Sequence, residues 1–383
     1  MGRRIQDRPM KISIAATNPC HLFPLALELD RLGALGCYYS GYPAWKLAAP
    51  AAMPVRTHSF RTTVVYGALK TVPAALRPSP RALFLWQDHG FDAWVGRNLE
   101  PCDFLHAMPG QALRAFSRAR KLGVATVLNH ATGPVREWVR IMAPEYERAG
   151  LRLEDVCPYD DAYFSREATE YELADFHCAA STVVRDQLIA TGIPPNRIWL
   201  AGYGADPAIF HAKDRGAPRG FRILFAGQLG LRKGLRTLLE AVASCKRPDW
   251  ELHFYGGEAP EAAGDLAAYR GSTPMTRHGS VSQPELAEAM RQASVLVLPS
   301  LEEGFGLVIP QALNCGAPCI VSDRVGGKDL IRHHENGSIF PCNASEALAA
   351  ELIWWETNWK PVSEFYGWRQ PAEAILRAGQ AAG

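Results

Sequence analysis

The chain has 383 residues, 48% hydrophobic and 21% charged, with a formal net charge of +2. That length accommodates two domains with sizeable cores, and the balance is that of a soluble globular protein. No apolar run approaches the roughly 20 residues that span a bilayer. The small net charge argues neither for nor against an anionic partner, and no nucleic acid is expected. Nine cysteines, an odd number without paired metal-ligand spacing or a secretory leader, suggest reduced thiols in the cytoplasm. Residues 1–9 read as a polar, basic tail rather than a signal peptide, since no apolar segment follows.

Lys11 to Ala16 reads as the first strand and Pro24 to Leu35 as the first helix, with Pro24 suited to a first-turn position. The loop between them, TNPCHLF, carries Pro19, Cys20 and His21. From Arg31 to Asp88 there is no acidic residue, while Lys46, Arg56, Arg61, Lys70, Arg77 and Arg81 alternate with Tyr42, Trp45, Phe60, Tyr66 and Leu76. A basic stretch mixed with apolar and aromatic groups suits a peripheral membrane surface, and residues 42–81 are assigned that role as an expectation. The alternative is a solvated helix face over ordinary core positions.

Ala82 to Trp86 and Phe104 to Ala107 read as strands, followed by a helix from about Gly110 to Leu122. Ala125 to Leu128 is the next strand and leads into Asn129, His130 and Ala131. Ligands of open α/β sheets bind at the carboxyl ends of strands, which makes His130 a candidate site residue and His106 a weaker one. Residues 135–163, rich in arginine, acids and tyrosine, are expected as helices on the acceptor side. A further helix leads to a strand at Phe176 to Ala179, and Ser181 caps the helix that Gly192 ends.

Residues 211–220 have linker composition. The pattern then restarts: Phe221 to Ala226 is a strand, Gly227 opens a loop, and a helix begins near Gly234. Glu251 to Tyr255 is another strand, and Arg277 to Val281 lead into a helix at Pro284 to Gln292. The stretch VLVLPSLEEGFGLVIPQALNCGAPCIVS, residues 295–322, is the most informative in the chain. Val295 to Leu298 is a buried strand, Glu302 to Gly306 a tight loop, and Leu307 to Asn314 a helix closed by Gly316. Pro310 fits that helix because first-turn amides have no helical partner. Pro318 to Ser322 is the next strand. Unpaired amides at a helix start bind anions, and the Glu303 carboxylate beside them can hold hydroxyl groups. Together these features describe a sugar-nucleotide site. The alternative on the residues alone is an ordinary strand–loop–helix crossover.

These residues resemble the signature of retaining glycosyltransferases of family 4, which have the GT-B fold. The family motif is Glu, seven residues, Glu, with Gly-Phe-Gly after the first acid. Here Glu303, Gly304, Phe305 and Gly306 match, and Gln311 stands at the second acid. The resemblance implies that Glu303 binds donor-sugar hydroxyls, that amides at Gly306 and Leu307 face the phosphates, and that position 311 holds the ribose. It places an arginine after Gly227 and a lysine five residues on, both gripping the diphosphate. Lys233 matches the lysine, whereas Gln228 occupies the arginine position, with Arg232 the candidate replacement. It also implies a strand-end histidine beside the donor sugar, matched by His130, and main-chain contacts to the nucleotide base near Val281. Where relatives carry a glycine-rich turn near the phosphates, this chain has the loop with His21.

The expected architecture is α/β: two Rossmann-like domains, 1–215 binding the acceptor and 216–357 the nucleotide sugar, facing across a cleft. Residues 358–383 form a helix crossing back to the first domain, with Trp354, Trp355, Trp359 and Trp368 packing across the junction. The expected function is retaining transfer of a hexose from a nucleotide-diphosphate sugar to a sugar or lipid-linked acceptor, in polysaccharide or glycolipid synthesis at the inner face of the cytoplasmic membrane. No metal is expected, because Lys233, the loop amides and His130 would neutralise the leaving phosphate. Two alternatives stay open: a nucleotide-sugar epimerase on the same fold, and a catalytically silent sugar-nucleotide sensor or assembly subunit.

Overall fold

The computed structural model describes residues 9–153, 157, 159–213 and 215–382. The basic tail at 1–8 lies outside them, as do residues 154–156 and 158 of the acceptor-side segment and 214 of the linker. Two wholly parallel sheets organise the chain, a seven-stranded one in the first half and a six-stranded one in the second. In chain order the first contains β1 (Ile12–Ala16), β2 (Leu35–Ser40), β3 (Val55–Thr57), β4 (Phe104–Ala107), β5 (Ala125–His130), β6 (Phe176–Ala179) and β7 (Ile198–Leu200). The second contains β8 (Phe221–Ala226), β9 (Trp250–Tyr255), β10 (Met275–Arg277), β11 (Val295–Leu298), β12 (Cys319–Ser322) and β13 (Gly337–Phe340). Strand order is β3-β2-β1-β4-β5-β6-β7 and β10-β9-β8-β11-β12-β13. Each order therefore reverses beside its own first strand, between β1 and β4 and between β8 and β11. Parallel strands must be covered on both faces, and the central ones obey this: every residue of β1 and β11 is buried.

Two elements differ from expectation. The run Ala82 to Trp86 is helical, inside α3 (Pro80–Asn98), not a strand: Ser79 accepts the Ala82 N–H as an N-cap and Pro80 takes the first turn. The strand pairing with β1 is instead Leu35–Ser40, reached after α1 (Leu22–Arg31) through a turn at Gly33, whose φ is +68°. In the helix layer, α4 (Leu113–Leu122) starts over two buried carboxylates. Asp92 of α3 accepts the amides of Arg114 and Ala115, and Glu170 of α6 (Asp161–Leu173) accepts those of Ala112 and Leu113. Arg166 pairs with both acids, at 2.6 and 3.0 Å, so neither negative charge is left alone in the core.

The chain crosses between the lobes twice, near residues 201–220 and 359–368, and the crossings are joined where the Ala205 N–H donates to the Tyr366 carbonyl at 2.9 Å. The stretch with linker composition is anchored rather than loose. Arg215 donates to the carbonyls of Met290, Arg291, Ala293 and Cys315, closing the end of α10 (Gln283–Gln292) and the residue after α11 (Val308–Asn314). Of the four tryptophans expected at the junction, Trp368 lies there, stacked on Tyr203 at 5.7 Å, and Trp359 begins the second crossing beneath the Arg215 guanidinium, 5.7 Å away. Trp355 is buried in the second lobe on Ser338, Trp354 stacks on His334, and Trp359 donates to the Ser294 carbonyl. The reason is that α12 (Ser345–Asn358) packs on the second sheet, and only α13 (Arg369–Ala382) reaches the first, with Ala372 and Ile375 in its core.

Candidate active site

Ligands of open parallel sheets collect where strand order reverses, above the carboxyl ends. In the second lobe that point lies between β8 and β11, and the loops leaving these two strands carry the charges. The loop after β8 turns through Gly227, where an added Cβ would lie 3.7 Å from Lys233 Cε, and ends in a short 3₁₀ turn at Leu231–Lys233. The loop after β11 carries Glu302 and Glu303. Lys233 Nζ forms an ion pair with Glu303 Oε2, both side chains nearly buried. Arg232 turns inward rather than out to solvent: its Nη1 donates to the Glu302 carbonyl at 3.0 Å and reaches the Glu302 carboxylate at 3.3 Å and that of Glu303 at 3.7 Å. Burial pushes the Glu302 carboxyl above its usual range, and the adjacent Arg232 pulls it back.

The Glu303–Gly306 turn is held from both lobes. Phe305 is buried against Tyr203 and Ala180. The Gly304 carbonyl accepts from Ser181 Oγ at 2.6 Å, and any Cβ on Gly304 would collide with the Ala131 carbonyl of the first lobe. Gly306 has φ +85°, open to glycine at no cost. Beyond it the Ile309 amide donates to the Gly306 carbonyl, while the amides of Leu307 and Val308 have no backbone partner among the described residues. Leu307 is partly exposed at this rim. A row of free amides beside an ammonium and a guanidinium offers donors of the kind that a phosphate oxygen accepts.

The first lobe presents a different surface from the one expected. His130 is the last residue of β5, and its ring is buried: Nε2 is 3.0 Å from His177 Nδ1, and Nδ1 is 3.4 Å from the Tyr171 hydroxyl. Burial first, and His177 second, hold its pKa well below the ordinary imidazole value, so the ring is neutral and both its nitrogens are committed. The His130 ring is thus engaged within the first lobe, and it is the main chain after it, at Ala131, that meets the Glu303 loop. His106 is core, packed against Trp199 with its pKa lowered to about 3 by burial. His21, in contrast, stacks on Tyr203 at 4.4 Å and contacts Asn129 Oδ1 at 3.1 Å, below Phe305 and Trp368. Burial lowers its pKa to about 4, so it too is neutral. Neither Asn129 nor Tyr203 stands out in the sequence, because their roles depend on stacking across strands distant in the chain.

Of the remaining predicted residues, Gln228 is exposed, and its side chain has no hydrogen bond among the described residues. Gln311 on α11 and Val281, just before the capping box of Ser282 and Glu285, are half-buried. The structure thus brings Gly227, Arg232, Lys233 and Glu303 to Leu307 into one cluster, and leaves His130 and Gln228 out of it. A cavity of about 310 Å³ adjoins the cluster, lined from the first lobe by Arg140 and Arg148 and from the second by Glu302 and Arg324.

Residues 210–366 match the family of glycosyl transferases group 1. That match spans most of the second lobe, which is similar to glycosyl transferases group 1. The chain is 33% identical over 205 residues to D-inositol 3-phosphate glycosyltransferase 1 of Catenulispora acidiphila, covering 46% of this chain and 49% of that one. It is 31% identical over 168 residues to the phosphatidyl-myo-inositol mannosyltransferase of Mycolicibacterium smegmatis, covering 42% of this chain and 41% of that one. The chain thus matches under half the length of each of these curated relatives. Among solved structures, Anabaena HepE in complex with UDP superposes with a TM-score of 0.62 at 15% identity, covering 98% of both chains. Such a likeness shows the fold, and the fold is GT-B.

If the Lys233 ammonium is the principal cation on the leaving phosphate, Lys233→Ala should lower kcat/KM by about 30- to 1000-fold, equivalent to about 2–4 kcal/mol of lost transition-state stabilisation. Steady-state kinetics with an active donor check this, and turnover within a few-fold of wild type removes Lys233 from the clamp.

Proposed function

We propose that the protein is a hexosyltransferase that moves a sugar from a nucleoside diphosphate to a sugar or lipid-linked acceptor with retention of anomeric configuration. The observation that carries this reading is the Lys233–Glu303 pair at the β8/β11 switch point, beside the free amides of Leu307 and Val308. Breaking the anomeric bond places negative charge on the departing diphosphate, and preorganised donors aimed at that charge are the main catalytic lever. Lys233 and these amides supply them, with Arg232 adding a second cation at the rim. Their charge suffices for the leaving group, so the reaction is read as metal-independent. When a diphosphate engages Lys233, the Glu303 carboxylate is released to accept hydrogen bonds from donor-sugar hydroxyls. Position 311 holds the ribose, where Gln311 offers one acceptor oxygen in place of a carboxylate's two.

The named activities of the two bacterial relatives, on inositol phosphate and phosphatidylinositol, support a polar or lipid-borne acceptor. The first lobe supports the same setting. No helix of the described residues is long and apolar enough to cross a membrane, but Trp45, Leu76 and Phe60 are 80%, 79% and 67% exposed on one basic stretch. Several of its cations are engaged in the fold: Arg56 pairs with Glu100, Arg81 with Asp160, and Arg77 donates to carbonyls at the end of α2 (Phe60–Thr71). Lys46, stacked over Trp45, and Lys70 remain to meet an anionic bilayer. The expected result is that the protein pellets with phosphatidylglycerol vesicles and that a Trp45→Ala, Phe60→Ser, Leu76→Ser variant does so several-fold less. Equal pelleting of the two would remove this surface from the reading.

Incubating the protein with a panel of nucleotide sugars decides between transfer and silent binding. Slow release of free nucleoside diphosphate from one donor, without acceptor, is expected of the enzyme. Tight binding of a donor with no turnover on any acceptor would instead make the protein a sensor, the reading that the neutral residues Gln228 and Gln311 favour. With the ribose at position 311, Gln311→Glu should tighten nucleoside diphosphate binding by about tenfold, since a charge-assisted bond is worth roughly 1–2 kcal/mol more than a neutral one. Titration calorimetry checks this, and an unchanged or weaker affinity would displace the ribose from Gln311.

A further inference from the structure

Away from the cleft, a turn of the second lobe places two consecutive histidines against one carboxylate. In extended chain, neighbouring side chains point to opposite faces. Here His334 adopts the left-handed conformation, φ +60°, which swings its ring to the same side as that of His333, with centroids 3.9 Å apart. A non-glycine residue held in that region is strained, and such strain marks positions where the surrounding structure requires a particular side-chain direction. The direction is toward Glu351 on α12: His334 Nε2 lies 3.0 Å from one carboxylate oxygen and His333 Nε2 3.8 Å from the other. The three ligand atoms lie within 4.8 Å of one another, the one such group of histidines, cysteines or acids among the described residues.

We propose that His333, His334 and Glu351 form a binding site for a divalent transition-metal ion, zinc in the first instance, outside the sugar-nucleotide cleft. Two imidazoles and a carboxylate are borderline donors of the kind zinc takes, and ligand atoms around a tetrahedral ion with bonds of about 2.0–2.1 Å are spaced by about 3.3 Å. The distances of 3.0 Å from His334 to one Glu351 oxygen and 3.8 Å from His333 to the other lie near that value, and the three ligand atoms are all within 4.8 Å, a gap that small side-chain rotations close. Both histidines remain partly open to solvent, leaving room for water as a fourth ligand, while Glu351 is largely buried. The surroundings fix the set. The His334 ring lies flat on Trp354, 3.8 Å between centroids and 5° from parallel, and its amide donates to the Gly337 carbonyl at 2.7 Å. The neighbouring cation, Arg332, is occupied by Glu335 and Glu364 and does not compete for Glu351. When the ion takes Nε2 of His333, the ring proton moves to Nδ1 and releases the long 3.3 Å contact from the Ile339 N–H. The bound ion would tie the turn before β13 to α12 and so lock one edge of the second sheet.

The test uses untagged full-length protein stripped with a chelating resin. Zinc titration by calorimetry should show one equivalent bound, and cobalt should give a visible d–d absorption band together with quenching of Trp354 fluorescence. His334→Asn, which keeps a residue tolerant of the left-handed conformation, and Glu351→Gln should each weaken binding at least about tenfold. Saturating zinc should raise the melting temperature of wild type and leave that of each variant unchanged. Absence of zinc binding, or the same binding in wild type and both variants, overturns the assignment. Each readout is independent of glycosyl transfer, so the result stands or falls apart from the activity proposed above.

Discussion

Two opposite charges, nearly out of water, meet above the point where the second sheet reverses its strand order, and the cleft is arranged around them. A buried ion pair adds little to fold stability, because desolvation offsets most of the attraction between the partners. The Lys233–Glu303 pair is therefore better understood through what it keeps ready. Each partner neutralises the other while the site is empty, so neither the loop after β8 nor the loop after β11 carries an unpaired charge. A diphosphate, doubly charged and able to meet the loop amides as well, is a stronger partner for the ammonium than one carboxylate. On the proposed function, exchanging one partner for the other would release Glu303 as a sugar ring arrives beside it. Ligand binding and orientation of the sugar then become a single event.

The same turn sets how the lobes meet. Gly304 has no side chain, so its backbone sits directly on the Ala131 carbonyl, and Ser181 Oγ holds the Gly304 carbonyl at 2.6 Å. Further along the second lobe, Asp329 accepts the Thr182 amide at 2.7 Å, at the start of α7 (Thr182–Ala190) in the first lobe. Any relative movement of the lobes must exchange these bonds for water, and each neutral one is worth roughly 1 kcal/mol. At the other end of the cleft, the paired crossings at Ala205 and Tyr366 and the Arg215 cap keep the connection short. Contacts that open at modest cost thus sit at the site, and the tighter ones sit behind it.

Much of this arrangement was legible in the residues, and the parts that were not share a cause. Strands such as Phe221–Ala226 and Val295–Leu298 are short, mainly apolar runs bounded by glycine, proline or polar residues, a pattern that suits a buried parallel strand. The run Ala82 to Trp86 has a similar composition but lies in the first turns of a helix, because Ser79 and Pro80 set its start; a cap three residues upstream outweighed the apolar run. At the site, the spacing from Gly227 to Lys233 and from Glu303 to Gly306 fixed backbone positions correctly. It could not fix where a ring turns. His130 stands at its expected strand end, yet its side chain is drawn inward by His177 and Tyr171, which come from residues 41 and 47 positions away. Stacks such as His21 on Tyr203 likewise exist only once distant segments meet.

The two neutral residues at charged positions bear on how the phosphate charge is shared. With Gln228 exposed and unbound, the arginine expected there has no counterpart at that place, and cationic charge near the diphosphate falls to Lys233 and Arg232. Arg232 uses Nη1 on Glu302, and its other nitrogens carry no protein partner among the described residues. A planar guanidinium with free N–H groups can still offer a phosphate oxygen a directed bond. Glu302 then acts as its anchor: buried, with its carboxyl pushed upward by desolvation and drawn back by Arg232, it holds the guanidinium at the rim. Placing the second cation on the 3₁₀ turn beside Lys233 keeps two positive groups together on one side of the Glu303 loop. It also couples both of them to the adjacent acids of the β11 loop, so that ligand charge is sensed by the two loops together.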